Sequence, residues 1–203
     1  MICLLDYGAG NLRSVRNAID YLGYDCVVSD SPTDISEASH LIIPGVGAYP
    51  AAMNKLRERD LLATIHDFAN SGRPLLGICL GMQILSDIGL EYGQTEGLSL
   101  IPGQVERLPE EGLVLPHVGW NSLELHWDHP CFERIKTGLD FYFVHSFCYR
   151  TSPEFALATT EYGVNFASVV AKDNVLGVQF HPEKSQDAGL RLIENFLDWD
   201  GQC

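Results

Sequence analysis

Residues 74–83 read PLLGICLGMQ, an apolar run that leads into Cys79, with Gly77 two positions before the cysteine and Gly81 two positions after it. The apolar run predicts a buried strand, and the residues after the cysteine follow a helical pattern. A nucleophile on a sharp strand-to-helix turn needs glycines where neighbouring backbone approaches closely. The segment therefore predicts a nucleophile elbow that presents the thiol of Cys79.

The predicted place of Cys79 at the start of a helix favours a reactive sulfur. Unpaired backbone N–H groups and the helix dipole stabilise a thiolate there. A buried structural cysteine beside two packing glycines explains these residues equally well, since free cysteines are among the most buried residues in proteins. The choice between the two interpretations depends on whether the chain supplies a base.

A second segment supplies that base. Residues 175–180 (VLGVQF) predict a strand and run into His181-Pro182-Glu183, where the proline ends the strand and keeps the histidine extended. An imidazole at the carboxyl end of a strand can meet an elbow cysteine at the same edge of a parallel sheet, and a nearby carboxylate can fix its tautomer. We predict a triad of Cys79, His181 and Glu183; a strand-capping histidine followed by a solvated glutamate is the alternative.

Apolar runs and helical patterns alternate along the first half of the chain, which predicts a parallel sheet with crossover helices in a doubly wound arrangement. The predicted strands are Ile2–Leu5, Cys26–Ser29, residues 41–44 and Leu75–Cys79. The predicted helices cover residues 11–22, 61–68 and 190–197. Proline and glycine break residues 98–125 into strands and turns, and residues 141–144 and 167–171 predict antiparallel strands leading to the final strand. The predicted fold class is α/β, a mostly parallel central sheet flanked by helices with added antiparallel strands.

Length and composition limit the possible functions. The 203 residues fit a single α/β domain spanning residues 1–203. A net charge of −14, from 27 acidic and 13 basic side chains, argues against a nucleic-acid ligand, because phosphates require a basic face. No apolar run approaches the ~20 residues that span a bilayer, and residues 1–6 lack the basic start of a signal peptide. We expect no membrane association, a cytoplasmic location and six reduced cysteines without a Cys-x-x-Cys pair.

One short loop contains several possible metal ligands, namely His126, Asp128, His129 and Cys131. Imidazole, carboxylate and thiolate groups all bind zinc. The loop has no separate second arm of ligands, however, so we predict no dedicated metal site.

The elbow pattern Gly-x-Cys-x-Gly-x-Gln and the segment Phe-His-Pro-Glu are those of the class I, triad-type glutamine amidotransferases, which this chain resembles over residues 1–196. The resemblance extends to residues 6–11 (DYGAGN), 44–48 (PGVGA), 116–121 (PHVGWN), 142–146 (YFVHS) and 181–185 (HPEKS). Val118 and Phe147-Cys148 depart from the residues that are commoner in the family, but they leave the triad intact.

The resemblance implies a flavodoxin-like architecture and hydrolysis of glutamine through a thioester on Cys79, with no cofactor. Elbow geometry assigns one oxyanion donor to the backbone N–H of Leu80, and the resemblance assigns the other to the loop at Val46 and Gly47. Glycines on both sides of Val46 lead to the hypothesis that this loop completes the oxyanion hole only when a partner is bound. A tight turn after a strand is the alternative.

The family also implies contacts to the substrate. Gln83 and Glu91 are expected at the amino-acid end of glutamine, and the backbone at Ser146 and Phe147 at its carboxylate. A surface glutamate is the alternative for Glu91. We expect His145 to be a structural histidine rather than a second base.

Within this family the motifs resemble those of subunits that supply ammonia for imidazole glycerol phosphate and its purine by-product, AICAR, in histidine biosynthesis. The resemblance implies a heterodimer with a cyclase subunit that forms a (β/α)8 barrel, so that ammonia passes inside the complex. The expected interface residues are Trp120, which we expect on a glycine-rich turn, Lys184 and Asn11, because an exposed tryptophan is a good anchor. A core tryptophan and an ordinary surface lysine are the alternatives.

Three other functions stay open from the sequence. A paralogous subunit for surface-sugar amination can carry the same motifs. A noncatalytic module that regulates a partner would not need the intact triad. A stand-alone cysteine hydrolase would leave Gln83, the loop at Val46 and Lys184 without a role.

Overall fold

The computed structural model describes residues 1–110 and 112–202. Its strands are β1 (Ile2–Leu5), β2 (Cys26–Ser29), β3 (His40–Gly45), β4 (Leu75–Cys79), β5 (Ile88–Gly89), β6 (Thr95–Glu96), β7 (Gln104–Arg107), β8 (His117–Ser122), β9 (Glu124–Leu125), β10 (Asp140–His145), β11 (Phe147–Arg150), β12 (Ala156–Tyr162), β13 (Val164–Lys172) and β14 (Val175–Val178). Its α-helices are α1 (Leu12–Tyr21), α2 (Pro32–Glu37), α3 (Tyr49–Glu58), α4 (Leu61–Asn70), α5 (Leu80–Gln83) and α6 (Gln186–Asp198). None of the helices in these two ranges has the length and apolar character needed to cross a bilayer.

The centre of the large sheet is parallel. Strands β2, β1, β3, β4 and β14 lie side by side in that order, and each neighbouring pair is parallel. Strand β13 pairs antiparallel with β14, and the sheet continues through β11 and β7. Strands β8 and β10 form a separate antiparallel ribbon. This arrangement confirms the predicted fold class.

The core lies on both faces of the parallel strands, as a doubly wound sheet requires. Leu4 belongs to the cluster under α1 and α6, whereas its neighbour Leu5 belongs to the cluster under α2, α3 and α4. Strands β1, β4 and β14 are therefore buried along their whole length. This double coverage explains why they appear in the sequence as continuous apolar runs rather than as alternating patterns.

Most of the predicted elements are confirmed, with the predicted helices found as α1, α4 and α6 and the run at residues 41–44 inside β3. Two predictions need correction. The last strand ends at Val178 rather than at residue 180, because the chain turns to bury Phe180 completely. Residues 141–144 lie in β10, which pairs with β8 in the separate ribbon and not beside the final strand. Helices α2 and α3 have no counterpart among the predicted elements.

The elbow is built from close backbone approaches. Cys79 has φ 55° and ψ −110°, a conformation that residues with a Cβ rarely adopt. A Cβ on Gly81 would lie 1.8 Å from the carbonyl oxygen of Ile43, and one on Gly77 would lie 2.6 Å from the carbonyl oxygen of Gly81. Only glycine fits at these two positions.

Replacing Gly81 with alanine tests this constraint. We expect Gly81→Ala to lower the free energy of unfolding by more than about 4 kcal/mol or to prevent folding, because backbone must move to admit the methyl group. The measurement is urea denaturation followed by circular dichroism. Gly72→Ala is the control, since Gly72 has a positive φ of 78° but open space around its Cβ position. It should cost only about 1–2 kcal/mol, and equal losses in the two variants would contradict the packing argument.

Candidate active site

The three predicted triad residues meet at one edge of the sheet. Cys79 ends β4 and His181 follows the adjacent parallel strand β14, so both side chains emerge at the carboxyl ends of neighbouring strands. The Nδ1–H of His181 donates to Oε1 of Glu183 at 2.9 Å, which leaves Nε2 as the nitrogen available to a reacting group. The arrangement has the nucleophile–base–carboxylate order of a triad.

The electrostatics of His181 favour its charged form. Its burial lowers the pKa, but hydrogen-bonding and charge interactions with Cys79 and Glu183 outweigh burial and raise the pKa to about 9. The side chains of His181 and Glu183 are only 4% and 1% exposed, so water screens this charge poorly. The site is thus organised to hold an imidazolium beside the sulfur of Cys79.

The turn that carries His181 is clamped by the backbone of β10. The N–H of His181 donates to the carbonyl of Tyr142 at 2.9 Å, and the N–H of Tyr142 donates to Oγ of Ser185 at 3.0 Å. The same hydroxyl donates back to the carbonyl of His181 at 2.6 Å. These bonds, with the 3-10 turn Pro182–Lys184, fix the direction of the imidazole.

A cavity of about 380 Å³ opens over the sulfur, a size that suits a small-molecule site. Its walls are Val46, Gly47, Cys79, Leu80, Gln83, Glu91, Tyr92, Arg107, Val144, His145, Ser146, Phe147, His181 and Lys184. The structure thus brings together every predicted oxyanion and substrate-binding residue around the nucleophile. Glu183 lies behind His181 rather than on the wall.

Gln83 and Glu91 are oriented by contacts within the protein. Nε2 of Gln83 donates to the carbonyl of Phe147 at 3.1 Å and to Oε1 of Gln179 at 3.0 Å, so its side-chain oxygen is the part left for a ligand. Oε2 of Glu91 accepts from the N–H of Tyr49 at 2.7 Å, at the start of α3 where a negative charge is favourable. Glu91 lies in the turn after β5. Its carboxylate both accepts the hydrogen bond from Tyr49 and lines the cavity.

The predicted oxyanion residues flank the sulfur. Leu80 begins α5, whose first N–H groups have no partner within the helix. The helix predicted after Cys79 is present but is only one turn long, so its dipole is small and its first N–H groups are the main contribution. Gly45 is fixed opposite Cys79 in the β3–β4 ladder, whereas Gly47 has φ 106° and open space around it. Gly47 therefore has the conformational freedom that rotation of the Val46–Gly47 peptide would require.

His145 faces the cavity, yet both of its ring nitrogens are engaged. Nδ1 donates to the carbonyl of Phe147 at 2.8 Å, and Nε2 accepts from Nδ1 of His117 at 3.0 Å. Burial lowers the pKa of His145 to about 3, although the bond to Phe147 opposes the shift. The ring is neutral and structural in this setting, as we expected.

Trp120 and Lys184, which is also on the cavity wall, both lie beside the ring of Tyr142. Trp120 is in strand β8, so the expectation that it lies on a glycine-rich turn is wrong. Its side chain is 47% exposed. Its ring lies 6.0 Å from the ring of Tyr142 on β10, and Nζ of Lys184 lies 6.0 Å from the same ring. Together with exposed Val118 on β8, these residues form what we call the aromatic patch.

Asn11 occupies a different position from the aromatic patch. It precedes α1 and is half-buried, and its Nδ2 donates to Oγ of Ser14 at 2.6 Å. The neighbouring Gly10 approaches Pro44, so the loop that carries Asn11 packs beside the loop at Val46.

The histidines of the candidate zinc loop have other contacts. Nε2 of His126 lies 2.8 Å from Oγ1 of Thr159, and Nδ1 of His129 accepts from the N–H of Cys131. Within residues 1–110 and 112–202, no three histidine, cysteine or acidic side chains come together as a metal site would require.

Sequence reasoning missed four residues at the site: Gln179, Tyr92, Arg107 and Tyr142. Gln179 carried a signal, since an amide inside an otherwise apolar strand segment needs an explanation. Tyr92 and Arg107 reach the cavity wall from a turn and from β7, and no motif marks them. Tyr142 acts through its backbone, which no side-chain pattern reveals.

Comparison with known proteins agrees with this geometry. The model of the family "Glutamine amidotransferase class-I" matches residues 3–199. The chain is 49% identical to imidazole glycerol phosphate synthase subunit HisH of Lacticaseibacillus casei strain BL23, over 98% of this chain and 95% of that protein. It is 48% identical to the HisH subunit of Methanosarcina barkeri strain Fusaro, over 97% and 98% of the two chains. A solved glutamine amidotransferase has a similar fold, with a TM-score of 0.76, 22% identity and 97% coverage of both chains.

The raised pKa of His181 predicts a pH-dependent stability. The folded protein keeps a proton on His181 up to about pH 9, whereas the unfolded chain loses it near 6.5. This contribution to the free energy of unfolding is complete below pH 6.5 and is lost as the pH rises toward 9. The stability difference between the natural chain and His181→Gln should shrink by about 3 kcal/mol between pH 6 and pH 9. Urea titrations at both pH values measure it, and a difference independent of pH would contradict the assignment.

Proposed function

Because this chain belongs to the class I glutamine amidotransferases, we propose that the cavity over Cys79 hydrolyses glutamine and that the chain is the glutaminase subunit of imidazole glycerol phosphate synthase. The near-full-length identity to HisH subunits supports the pathway. The observation that carries the chemistry is the convergence of the Cys79 thiol, a buried imidazole and a buried carboxylate on one cavity.

In the first half of the reaction, the sulfur of Cys79 attacks the side-chain carbonyl carbon of glutamine. His181 takes the thiol proton on Nε2 as the bond forms, and Glu183 stabilises the resulting positive charge. As the carbon–nitrogen bond breaks, His181 gives this proton to the departing nitrogen, which leaves as ammonia. The product on the enzyme is a thioester of glutamate with Cys79.

In the second half, water attacks the thioester carbon while His181 accepts one of its protons. The carbon–sulfur bond then breaks, glutamate is released, and the sulfur and the imidazole again share the proton. The net reaction is glutamine plus water to glutamate plus ammonia. The pKa of about 9 of His181 suits its role as the acid that protonates the departing nitrogen. In the thioester the sulfur of Cys79 carries no negative charge, so the pKa of His181 falls and the ring can act as a base toward water.

The oxyanion formed in both steps needs two donors. The N–H of Leu80 is the first, and an N–H of the Val46–Gly47 peptide is the second once that peptide points to the cavity. One such donor contributes on the order of 3 kcal/mol to the transition state. A loop that turns only in the complex would therefore keep the free subunit nearly inactive.

The polar groups on the cavity wall that the protein does not use itself indicate how glutamine would bind. The free oxygen of Gln83 and the carboxylate of Glu91 match the α-ammonium group of glutamine, and the backbone at Ser146 and Phe147 is placed for its carboxylate. Because the donors of Gln83 are held by the protein, the orientation of its oxygen is set before the substrate arrives.

The proposed partner is a cyclase subunit with a (β/α)8 barrel, which would receive the ammonia inside a heterodimer. The aromatic patch supports this, because it exposes apolar and cationic groups beside the cavity that Lys184 also lines. Asn11, beside the loop at Val46, is a further contact. The acidic chain, with 27 acidic and 13 basic side chains, fits a basic partner surface. We place this single domain, residues 1–203, in the cytoplasm with its substrates.

The other functions are weaker. The HisH relatives favour histidine biosynthesis over surface-sugar amination. A complete triad, with its carboxylate bonded to the imidazole, would serve no purpose in a noncatalytic module. An independent hydrolase has no need for the aromatic patch.

Glutamate release from glutamine tests the proposed function directly. We expect the chain alone to be slow and to be stimulated about 100-fold or more by the barrel cyclase of the same genome with its ribulosyl-formimino nucleotide substrate, since one oxyanion donor is worth about that factor. Cys79→Ala should abolish the activity, whereas Cys26→Ala, at a half-buried cysteine in the edge strand β2 and not on the cavity wall, should retain it.

Gly47→Ala adds a test of the loop within the same assay. The added methyl group meets nothing within 4 Å, so its effect is on backbone conformation alone. Loss of stimulation by the cyclase would support a loop that completes the oxyanion hole only in the complex, and unchanged stimulation would exclude this role of the loop. Activity that ignores the cyclase would point to another pathway, and no activity under either condition would favour the regulatory module.

The interface proposal predicts different roles for two exposed tryptophans. Trp120→Ala should weaken binding of the cyclase by about 2 kcal/mol, roughly 30-fold, as expected for an anchor residue. Trp127→Ala is the matched control, since Trp127 is 56% exposed but lies in the loop at residues 126–129. Isothermal titration calorimetry measures both affinities, and equal affinities for the two variants would exclude the aromatic patch as the interface.

A further inference from the structure

Gln179 is the one completely buried amide that contacts the nucleophile within the described ranges, 1–110 and 112–202. It lies between the end of β14 and His181 and has 0% exposure. Its Nε2 lies 3.7 Å from Sγ of Cys79 and donates to it, while its Oε1 accepts from Nε2 of Gln83 at 3.0 Å. The side chain thus joins the reacting sulfur to a residue on the substrate wall.

The direction of this amide is determined by a backbone carbonyl. The oxygen of Phe147 can only accept a hydrogen bond, so the group of Gln83 that faces it must be the NH2. The second hydrogen of that NH2 then requires an acceptor, which is Oε1 of Gln179. The NH2 of Gln179 is consequently the end that faces the sulfur.

The backbone holds Gln179 in this position. Its N–H donates to the carbonyl of Ser168 on β13 at 2.9 Å, which extends the sheet pairing one residue past β14. With both the main chain and the amide oxygen bonded, the donor to the sulfur is pre-organised and loses little freedom when charge develops.

We propose that Gln179 is a catalytic residue of this site, which stabilises the Cys79 thiolate through its side-chain N–H and positions Gln83 for glutamine through its oxygen. A hydrogen bond to an ionised acceptor is stronger than one between neutral groups, and more so in a buried setting. The inference rests on the proposed function, because it requires Cys79 to be the nucleophile.

Several other groups also act on this sulfur or on its base. His181 and Glu183 lie on the turn after β14, His145 on β10, Tyr7 after β1, and Glu91, Arg107 and Lys184 on the cavity wall. A test must therefore change Gln179 while leaving these groups in place.

Alkylation of Cys79 by iodoacetamide at pH 5–9 provides that test, because the thiolate is the reacting form and no glutamine or partner is needed. Mass spectrometry of the peptide containing Cys79 separates it from other thiols; burial raises the pKa of Cys3 to about 12 and that of Cys148 to about 11. We expect Gln179→Met, which keeps the length but has no N–H, to slow alkylation at pH 7 about tenfold and to shift the profile to higher pH.

Two further variants make the result interpretable. Gln179→Asn keeps a buried amide but withdraws it by one methylene, so it should fold and slow alkylation in the same direction, even if the methionine variant does not fold. Asn174→Leu removes a different buried amide, which donates to the carbonyls of Ala69 and Arg73 at 2.9 and 2.6 Å. This control should lower stability and leave the alkylation profile unchanged.

The outcomes separate this inference from the proposed function. Alkylation of folded Gln179→Met and Gln179→Asn at the natural rate would overturn the role of Gln179 and leave Cys79 as nucleophile. A natural Cys79 no more reactive than Cys3 would overturn both. In the complex with the cyclase, we also expect Gln179→Met to raise KM for glutamine about threefold or more, because Gln83 loses its hydrogen bond to Gln179. The same variant should lower kcat, because the sulfur of Cys79 loses the N–H that stabilises the thiolate.

Discussion

The whole site depends on a contact between two backbones. The approach of Gly81 to the carbonyl of Ile43 ties the first turn of α5 to β3 and leaves no room for a side chain between them. That contact holds Cys79 in its strained conformation and sets the Leu80 N–H beside the loop at Val46. The strain at the cysteine is local, but the hydrogen bonds of two parallel strands resist its release. The chemistry at this edge is thus a product of main-chain packing before any catalytic side chain is added.

Around that fixed point the molecule separates charged from neutral groups. Burial keeps His145 neutral, and the amides of Gln83 and Gln179 carry no charge, so His181 is the cation that interacts directly with the sulfur, while Arg107 and Lys184 lie on the cavity wall. The amides form a continuous chain from the carbonyl of Phe147 to the sulfur. Such neutral dipoles stabilise charge without adding titratable groups of their own, which keeps the protonation of the triad simple.

The sequence predicted most of the fold, because buried parallel strands appear as continuous apolar runs and helices as stripes of spacing three and four. It also indicated the three residues of the proposed triad, since the elbow and the His181 turn are both local motifs at the ends of strands. The sequence did not predict features that depend on residues distant in the chain. Gly119 resembled a turn residue, yet the pairing of β8 with β10 holds it in a ladder, and Trp120 follows it there. The helix after Cys79 ends after one turn, and the contact of Gln179 with the sulfur joins residues a hundred positions apart.

Tyr142 contributes to the molecule in two separable ways. Its N–H and carbonyl hold the turn of the base, while its ring forms the centre of the aromatic patch. The backbone bonds are available to any residue that can occupy a strand, whereas the ring belongs to the surface that we propose for the partner. Substitution of the ring can therefore change the proposed docking surface while the backbone bonds to the turn of His181 are kept. A strand of this kind gives one ammonia-releasing scaffold a route by which to acquire different acceptors over evolutionary time.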